Sequence, residues 1–221
     1  MIRPRDEHIQ TLREGLRGRA FELGAVVVTG VGFVIVGLSF LYIGVASLFW
    51  VAYVFARYRW DNEVFSRWGF RRAGFRDAAK LSLPFAVAAA AFSITYALIR
   101  GDPVLNVHLP LLLVLYPPWG VVQQFLVVAL IAENLVAVSG GRISESLSVV
   151  LSACGFAAIH VHDYRLVGAT FLLGLVTTSV YFRTKNVFVP GILHGWFATL
   201  LYYLVLGEDP WAELVLAGLR M

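Results

Sequence analysis

The chain has 221 residues, of which 59% are hydrophobic and 14% are charged, and its formal net charge is +4. Soluble globular domains carry about 25% charged residues, so the composition excludes an ordinary soluble domain and indicates an integral membrane protein. We expect membrane lipid as a partner and no nucleic acid, because basic loops beside anionic headgroups account for the positive charge.

The N-terminal twenty residues contain no apolar core and therefore do not resemble a cleavable signal. Arginines are interleaved with acidic residues in this stretch, at Arg3, Arg5, Arg13, Arg17 and Arg19. We expect residues 1–20 to form a basic amphipathic segment on the membrane surface, and a solvated tail is the alternative.

Apolar runs follow one another through the rest of the chain, and most approach the ~20 residues that cross a bilayer as a helix. They cover residues 23–55, 81–99, 109–138, 147–160, 166–182 and 187–206. Helices are the expected spanning form, because lipid offers no partners for exposed backbone groups. The sequence therefore predicts an all-α fold, a polytopic membrane helix bundle.

Basic residues predict the topology of this bundle, because Lys and Arg collect in cytoplasmic loops. The N-terminal cluster and a second cluster at residues 57–80 share one side only if residues 23–55 cross twice, with a turn near residues 37–44. The same alternation places Arg142 and Lys185 on that side. We therefore predict about seven transmembrane helices and a cytoplasmic N-terminus in the inner or plasma membrane. A single tilted helix over residues 23–55 would invert every later loop.

The chain has no visible repeat, low-complexity stretch or flexible linker, so one domain is the economical interpretation. Within this domain we predict four segments. They are the N-terminal segment at residues 1–20, transmembrane helices with a basic cytoplasmic loop at 21–107, core helices at 108–206 and a short C-terminal segment at 207–221.

Four polar side chains within the apolar runs require an explanation: Gln123, Gln124, His160 and His194. An unpaired amide or imidazole in an apolar medium costs on the order of a few kcal/mol, so we expect these side chains to face one another. The rise of 1.5 Å per residue brings His194 back to about the depth of Gln124. The alternative is that each side chain only binds neighbouring helices together.

Two motifs carry a resemblance to a known family: Phe156-Ala-Ala-Ile-His160 and Pro190-Gly-Ile-Leu-His194. They resemble the second and third motifs of the CAAX prenyl protease and bacteriocin-processing family of intramembrane proteases. That family is marked by Glu-Glu-x-x-x-Arg, then Phe-x-x-x-His, then His-x-x-x-Asn. The resemblance runs from about residue 112 to 205, and residues 67–85 resemble a stretch often found ahead of that core. It implies an intramembrane peptidase that cleaves membrane-associated, prenylated or leader peptides.

By position, the resemblance implies Gln123, Gln124, His160 and His194 as the catalytic residues. The first motif is degenerate, however, because glutamines replace the paired glutamates and Val128 replaces the arginine. In the third motif, Ala198 replaces the final asparagine. A carboxylate can accept a proton from water, whereas a glutamine amide cannot do so near neutral pH.

Another carboxylate could replace the missing glutamate. Glu133 lies about half a turn around the helix from Gln124 and ~13 Å along it, so we expect it to face away. Asp163 follows His160 closely and is either a base or, more simply, the N-cap of the next helix.

A metal is a further open question. In the family the histidines either position water or bind a metal, which implies His160 and His194 as ligands. With His162 they would supply three imidazoles, a credible zinc set if they converge. No His-Glu-x-x-His motif is present.

Three functions remain open from the sequence. The first is an intramembrane peptidase with an altered site. The second is a non-catalytic relative that acts as a membrane scaffold, a peptide-binding protein or an immunity-type partner. A small carrier or haem-binding protein is the third, and the lack of matched halves weakens it.

Overall fold

The computed structural model describes residues 4–37, 39–101 and 103–213, and in this part of the chain every regular element is a helix. The α-helices are α1 (Pro4–Val36), α2 (Phe40–Trp60), α3 (Val64–Arg67), α4 (Phe75–Arg100), α5 (His108–Gln124), α6 (Glu133–Val138), α7 (Glu145–Ala158), α8 (Tyr164–Thr184) and α9 (Phe188–Leu200). A π-helical segment, Phe125–Ala132, joins α5 to α6, and a second, Leu201–Leu206, continues α9. The predicted all-α membrane bundle is confirmed.

Six helices of the described chain are long and apolar enough to cross a membrane: Gly15–Val36, Leu41–Trp60, Phe75–Arg100, His108–Val138, Tyr164–Thr184 and Phe188–Leu206. The remaining expected span, at residues 147–160, is the 14-residue helix α7. At 1.5 Å per residue α7 extends only ~21 Å, which is less than the ~30 Å hydrocarbon layer. It is therefore a short apolar helix between longer ones.

Contacts sort the helix ends into two groups. At one end, which we call the basic end, Arg71 Nε donates to the Lys185 carbonyl at 2.9 Å and Lys185 Nζ lies 3.5 Å from Glu133 Oε1. At the opposite end, Arg165 pairs with Glu208 at 2.8 Å. Helix α7 begins near the basic end, where Ser148 Oγ donates to the Ala132 carbonyl at 2.7 Å, and the turn after it leads to Arg165.

The first hairpin consists of two helices, not one tilted helix. Helix α1 ends at Val36, and the next residue, Gly37, has a positive φ of 72°. Residues other than glycine rarely adopt this conformation, so Gly37 favours a turn here. Ser39 then caps α2 by accepting a hydrogen bond from the Tyr42 amide at 3.4 Å. The turn thus lies at the start of the interval that the sequence indicated.

The predicted segment boundaries stay predictions. Helix α1 begins at Pro4 and continues unbroken past residue 20. The ends of the predicted terminal segments, residues 1–3 and 214–221, lie outside the described residues.

The closest helix packing in the core is between α5 and α9. A Cβ on Gly191 would overlap the backbone of Val121, and a Cβ on Gly195 would overlap that of Pro117. Small residues at this spacing allow two membrane helices to approach backbone to backbone. Pro117 also leaves the Leu113 carbonyl without its helical donor, and Trp196 Nε1 donates to that oxygen at 3.0 Å.

We predict that Gly191→Ala destabilises the protein, because overpacking a tight core costs about 1–3 kcal/mol. The matched control is Gly168→Ala in α8, where an added Cβ meets nothing within 4 Å. Alanine there should be neutral or stabilising, since glycine in a helix is less favourable than alanine by about 0.5–1 kcal/mol. Thermal unfolding in detergent, followed by circular dichroism, measures both variants. Equal unfolding temperatures would contradict the glycine-dependent packing.

Candidate functional site

The contact between α5 and α9 brings Gln124 and His194 together. Gln124 Nε2 lies 3.3 Å from His194 Nδ1, and the side chains are 0% and 5% exposed. An amide nitrogen can only donate, so Nδ1 accepts and the ring carries its proton on Nε2. The imidazole in this arrangement is neutral and fixed in one tautomer.

The other end of the Gln124 amide has no partner among the described residues. Its Oε1 atom is buried and accepts no hydrogen bond. A buried polar atom of this kind costs about 1–3 kcal/mol when it stays unpaired, so it favours a bound donor. Helix α5 passes into the π-helical segment directly after this residue, and π-helical turns frequently lie at functional sites.

Gln123 is positioned differently from its neighbour. Its side chain is half-buried and makes no hydrogen bond within the described part of the chain. Successive residues of a helix point about 100° apart, so only one of two adjacent glutamines can face α9. The structure therefore brings Gln124, and not Gln123, to His194.

His160 lies in the turn after α7 and is linked to the pair through an aromatic ring. Its Nδ1 atom donates to the Phe156 carbonyl at 3.1 Å. The Phe156 ring packs edge-on against both imidazoles, with centroid distances of 5.5 Å to His160 and 5.3 Å to His194. Phe156 thus joins the two histidines, whose Nε2 atoms make no hydrogen bond to any described residue.

The side chains near His160 and His194 supply too few ligands for a catalytic zinc site. Among the described residues, no group of three or more His, Cys, Asp or Glu side chains could hold a metal ion. His162 does not join the other two, because its Nε2 atom lies 3.2 Å from the Val34 carbonyl of α1. A catalytic zinc takes three protein ligands, and here only His160 and His194 remain.

Comparison with known proteins finds one family model that covers the residues of this cluster. Residues 105–200 match the model of the Rce1-like family, described as type II CAAX prenyl endopeptidase Rce1-like. That match includes Gln123, Gln124, His160 and His194, and it is consistent with the resemblance found in the sequence. No curated protein and no solved structure matches the chain.

This match covers less than half of the chain and is consistent with the CAAX prenyl protease and bacteriocin-processing family. Two departures from the motifs of that family can be located in the structure. Val128 stands where the family has arginine and is fully buried, so the position is filled by an apolar side chain. Ala198 lies one turn after His194 and offers no polar atom to the cluster.

The carboxylates nearest in sequence to this CAAX-protease-like cluster are engaged elsewhere. Asp163 is the N-cap of α8 and accepts from the Arg165 amide at 2.9 Å, as the simpler interpretation predicts. The side-chain hydrogen bond from Arg165 holds the pKa of Asp163 below its ordinary value. Glu133 accepts from the Tyr181 hydroxyl at 2.6 Å and faces Lys185. Neither carboxylate hydrogen-bonds to a histidine.

A second polar cluster in the bundle was missed by the sequence reasoning. Glu22 of α1 is 2% exposed and accepts from Tyr53 Oη and from Asn134 Nδ2, each at 2.8 Å. Arg57 Nε lies 3.6 Å from the same carboxylate. The sequence contained one signal for this cluster, because Glu22 is an acidic residue at the start of an apolar run. Carboxylates within a membrane are rare and usually have a partner, so Glu22 indicated a buried polar contact. This cluster attaches α1 and α2 to the CAAX-protease-like core.

The stretch ahead of the core also has a visible role. The Asn186 Nδ2 atom donates to the Arg71 carbonyl at 2.6 Å, and the Val187 amide donates to the Gly69 carbonyl at 3.1 Å. These bonds hold the loop before α4 against the turn between α8 and α9. They thereby fix the start of α9, which carries His194.

We predict that Gln124→Ala destabilises the protein more than Gln123→Ala does. The first change leaves a cavity at a side chain that is 0% exposed, at a cost of about 2–5 kcal/mol, and it removes the hydrogen bond of His194, whereas Gln123 is half-buried and loses no described partner. Chemical or thermal unfolding of both purified variants in the same detergent measures the difference. A Gln123→Ala variant that is equally or more destabilised would show that the assignment of the buried glutamine is wrong.

Proposed function

We propose that this protein is a non-peptidase relative of the intramembrane proteases, in which Gln124, His160 and His194 bind a membrane-associated peptide instead of cleaving it. The observation that supports this proposal is the amide-to-imidazole bond between Gln124 and His194, with no described carboxylate within reach of either histidine. In the family that the sequence resembles, a glutamate activates water, and the Gln124 amide that stands at this position cannot accept a proton near neutral pH.

The free atoms of the cluster suit a peptide backbone. Gln124 Oε1 and the His160 Nε2 lone pair are acceptors, and His194 Nε2–H is a donor. A peptide group offers one donor and one acceptor, which in an apolar medium must both be satisfied. Phe156 and the surrounding apolar core would exclude water from such a complex.

The alternative is an active intramembrane peptidase with an altered site. It is favoured by the family match over residues 105–200 and by the presence of both family histidines. Gln123 and Gln124 would then orient the substrate or the water, and His160 and His194 would carry the proton. A zinc ion on the histidines belongs to this alternative.

A cleavage assay separates the two proposals. Purified wild-type protein, His194→Ala and Gln124→Glu are incubated with a farnesylated CAAX peptide and with a membrane-inserted leader peptide. We expect no turnover by wild type above the His194→Ala background, together with weaker peptide binding by His194→Ala. Turnover by wild type that His194→Ala abolishes would overturn the proposal in favour of the peptidase. Turnover by Gln124→Glu alone would support the non-peptidase proposal, because it would show that the amide at position 124 prevents catalysis by the wild-type protein.

We further infer that the basic end of the bundle faces the cytoplasm of an inner or plasma membrane. The support is the excess of Lys and Arg at this end, including Arg57, Arg71 and Lys185. An Arg142→Cys variant in a Cys154→Ala background tests the orientation. In sealed right-side-out vesicles, we expect an impermeant maleimide to label residue 142 only after permeabilisation. Labelling of intact vesicles would invert the topology.

A further inference from the structure

An apolar groove lies between α4 and α8 near the basic end, away from the histidine cluster. Its volume is about 310 Å³. The lining residues are Leu81, Leu175, Val176, Ser179, Val180 and Arg183. Because the Ser179 hydroxyl already donates to the Leu175 carbonyl at 2.6 Å, the interior of the groove is apolar up to Arg183.

Close contacts near the basic end hold α8 against the start of α4. A Cβ on Gly74, which precedes α4, would overlap the Thr184 carbonyl, and fully buried Ala78 packs against Val180. Leu81 lies about one turn further along α4 and is 41% exposed on the wall of the groove. The groove therefore has one end at the polar boundary of the bundle and the other among apolar side chains.

The polar end of the groove carries positive charge that the protein does not neutralise. Arg183 is exposed and has no acidic partner among the described residues, in contrast to Arg165 and Lys185, which each face a glutamate. Three further cations on the neighbouring stretch lack an acidic partner within the described chain as well: Arg72, Arg76 and Lys80. Asp77 is the acidic residue among them. The mouth of the groove is therefore suited to an anion.

We propose that this groove binds an anionic phospholipid, with one acyl chain along Leu81, Leu175 and Val176 and the phosphate at Arg183. A guanidinium group binds phosphate oxygens in a bidentate manner, which a lysine does not. Basic pockets between membrane helices are suited to anionic headgroups, and the apolar wall supplies the surface for the chain. A soluble anion would occupy the phosphate position at Arg183 and leave the apolar part of the groove empty.

Native mass spectrometry of the delipidated protein in detergent tests this site with matched-chain phosphatidylglycerol and phosphatidylcholine. We expect wild type to retain phosphatidylglycerol preferentially and Arg183→Gln to lose that preference by about tenfold, the loss of one charge-assisted phosphate contact. Arg142→Gln is the matched control, because Arg142 is an exposed arginine outside the groove. An equal loss of phosphatidylglycerol preference in both variants would show that the lipid binds to a diffuse basic surface, and it would overturn the proposed site at Arg183.

A second pair of variants tests the acyl chain without changing the charge. Leu81→Trp should fill the groove and reduce phosphatidylglycerol binding, whereas Leu83→Trp, on the same helix and outside the groove, should not. Glycerol phosphate, which has the headgroup charge and no chain, should bind at least tenfold more weakly than phosphatidylglycerol. Equal binding of glycerol phosphate, or unchanged lipid binding in Leu81→Trp, would overturn the proposal. Equal unfolding temperatures of all variants without lipid exclude a folding defect.

Discussion

The backbone-to-backbone packing of α5 on α9 is the constraint on which the candidate site depends. Gly191 and Gly195 allow this approach because a side chain at either position would collide with α5. Once the helices are this close, Gln124 reaches His194 directly, at 3.3 Å. The hydrogen bond is therefore a consequence of helix packing and also adds to it, since both groups would otherwise be unpaired in an apolar core. The start of α9 is fixed separately, by the loop at residues 69–73.

The site contains the two histidines of the family motifs, and glutamines stand where those motifs have paired glutamates. A glutamine has nearly the shape of a glutamate, so the replacement at position 124 keeps the packing and one hydrogen bond while it removes the proton acceptor. Val128 stands where the family motif has arginine, and it is completely buried, so an apolar side chain fills this position. A fold can retain a site's shape after its chemistry has changed, which is why family and activity are separate conclusions for this protein.

Much of the fold could be predicted from the sequence, because in a membrane the length and charge of apolar runs are strong constraints. The split of residues 23–55 into two helices followed from the positions of the basic clusters, and the meeting of Gln124 with His194 followed from the helical rise. The rotation of a helix about its axis is not determined by length or hydropathy. The sequence therefore did not separate Gln124 from Gln123 or show that His162 reaches Val34 of α1. Glu22 was missed because its partners, Tyr53 and Asn134, are distant in the chain and belong to other helices.

Solid-state nuclear magnetic resonance of the protein in lipid bilayers can detect the hydrogen bond between Gln124 and His194. With nitrogen-15 labels in histidine and glutamine, we expect a His194 ring that is protonated on Nε2 and not on Nδ1. We also expect a through-space correlation between that Nδ1 atom and the side-chain amide of Gln124. The absence of this correlation, or a His194 ring protonated on Nδ1, would show that Gln124 does not donate to His194.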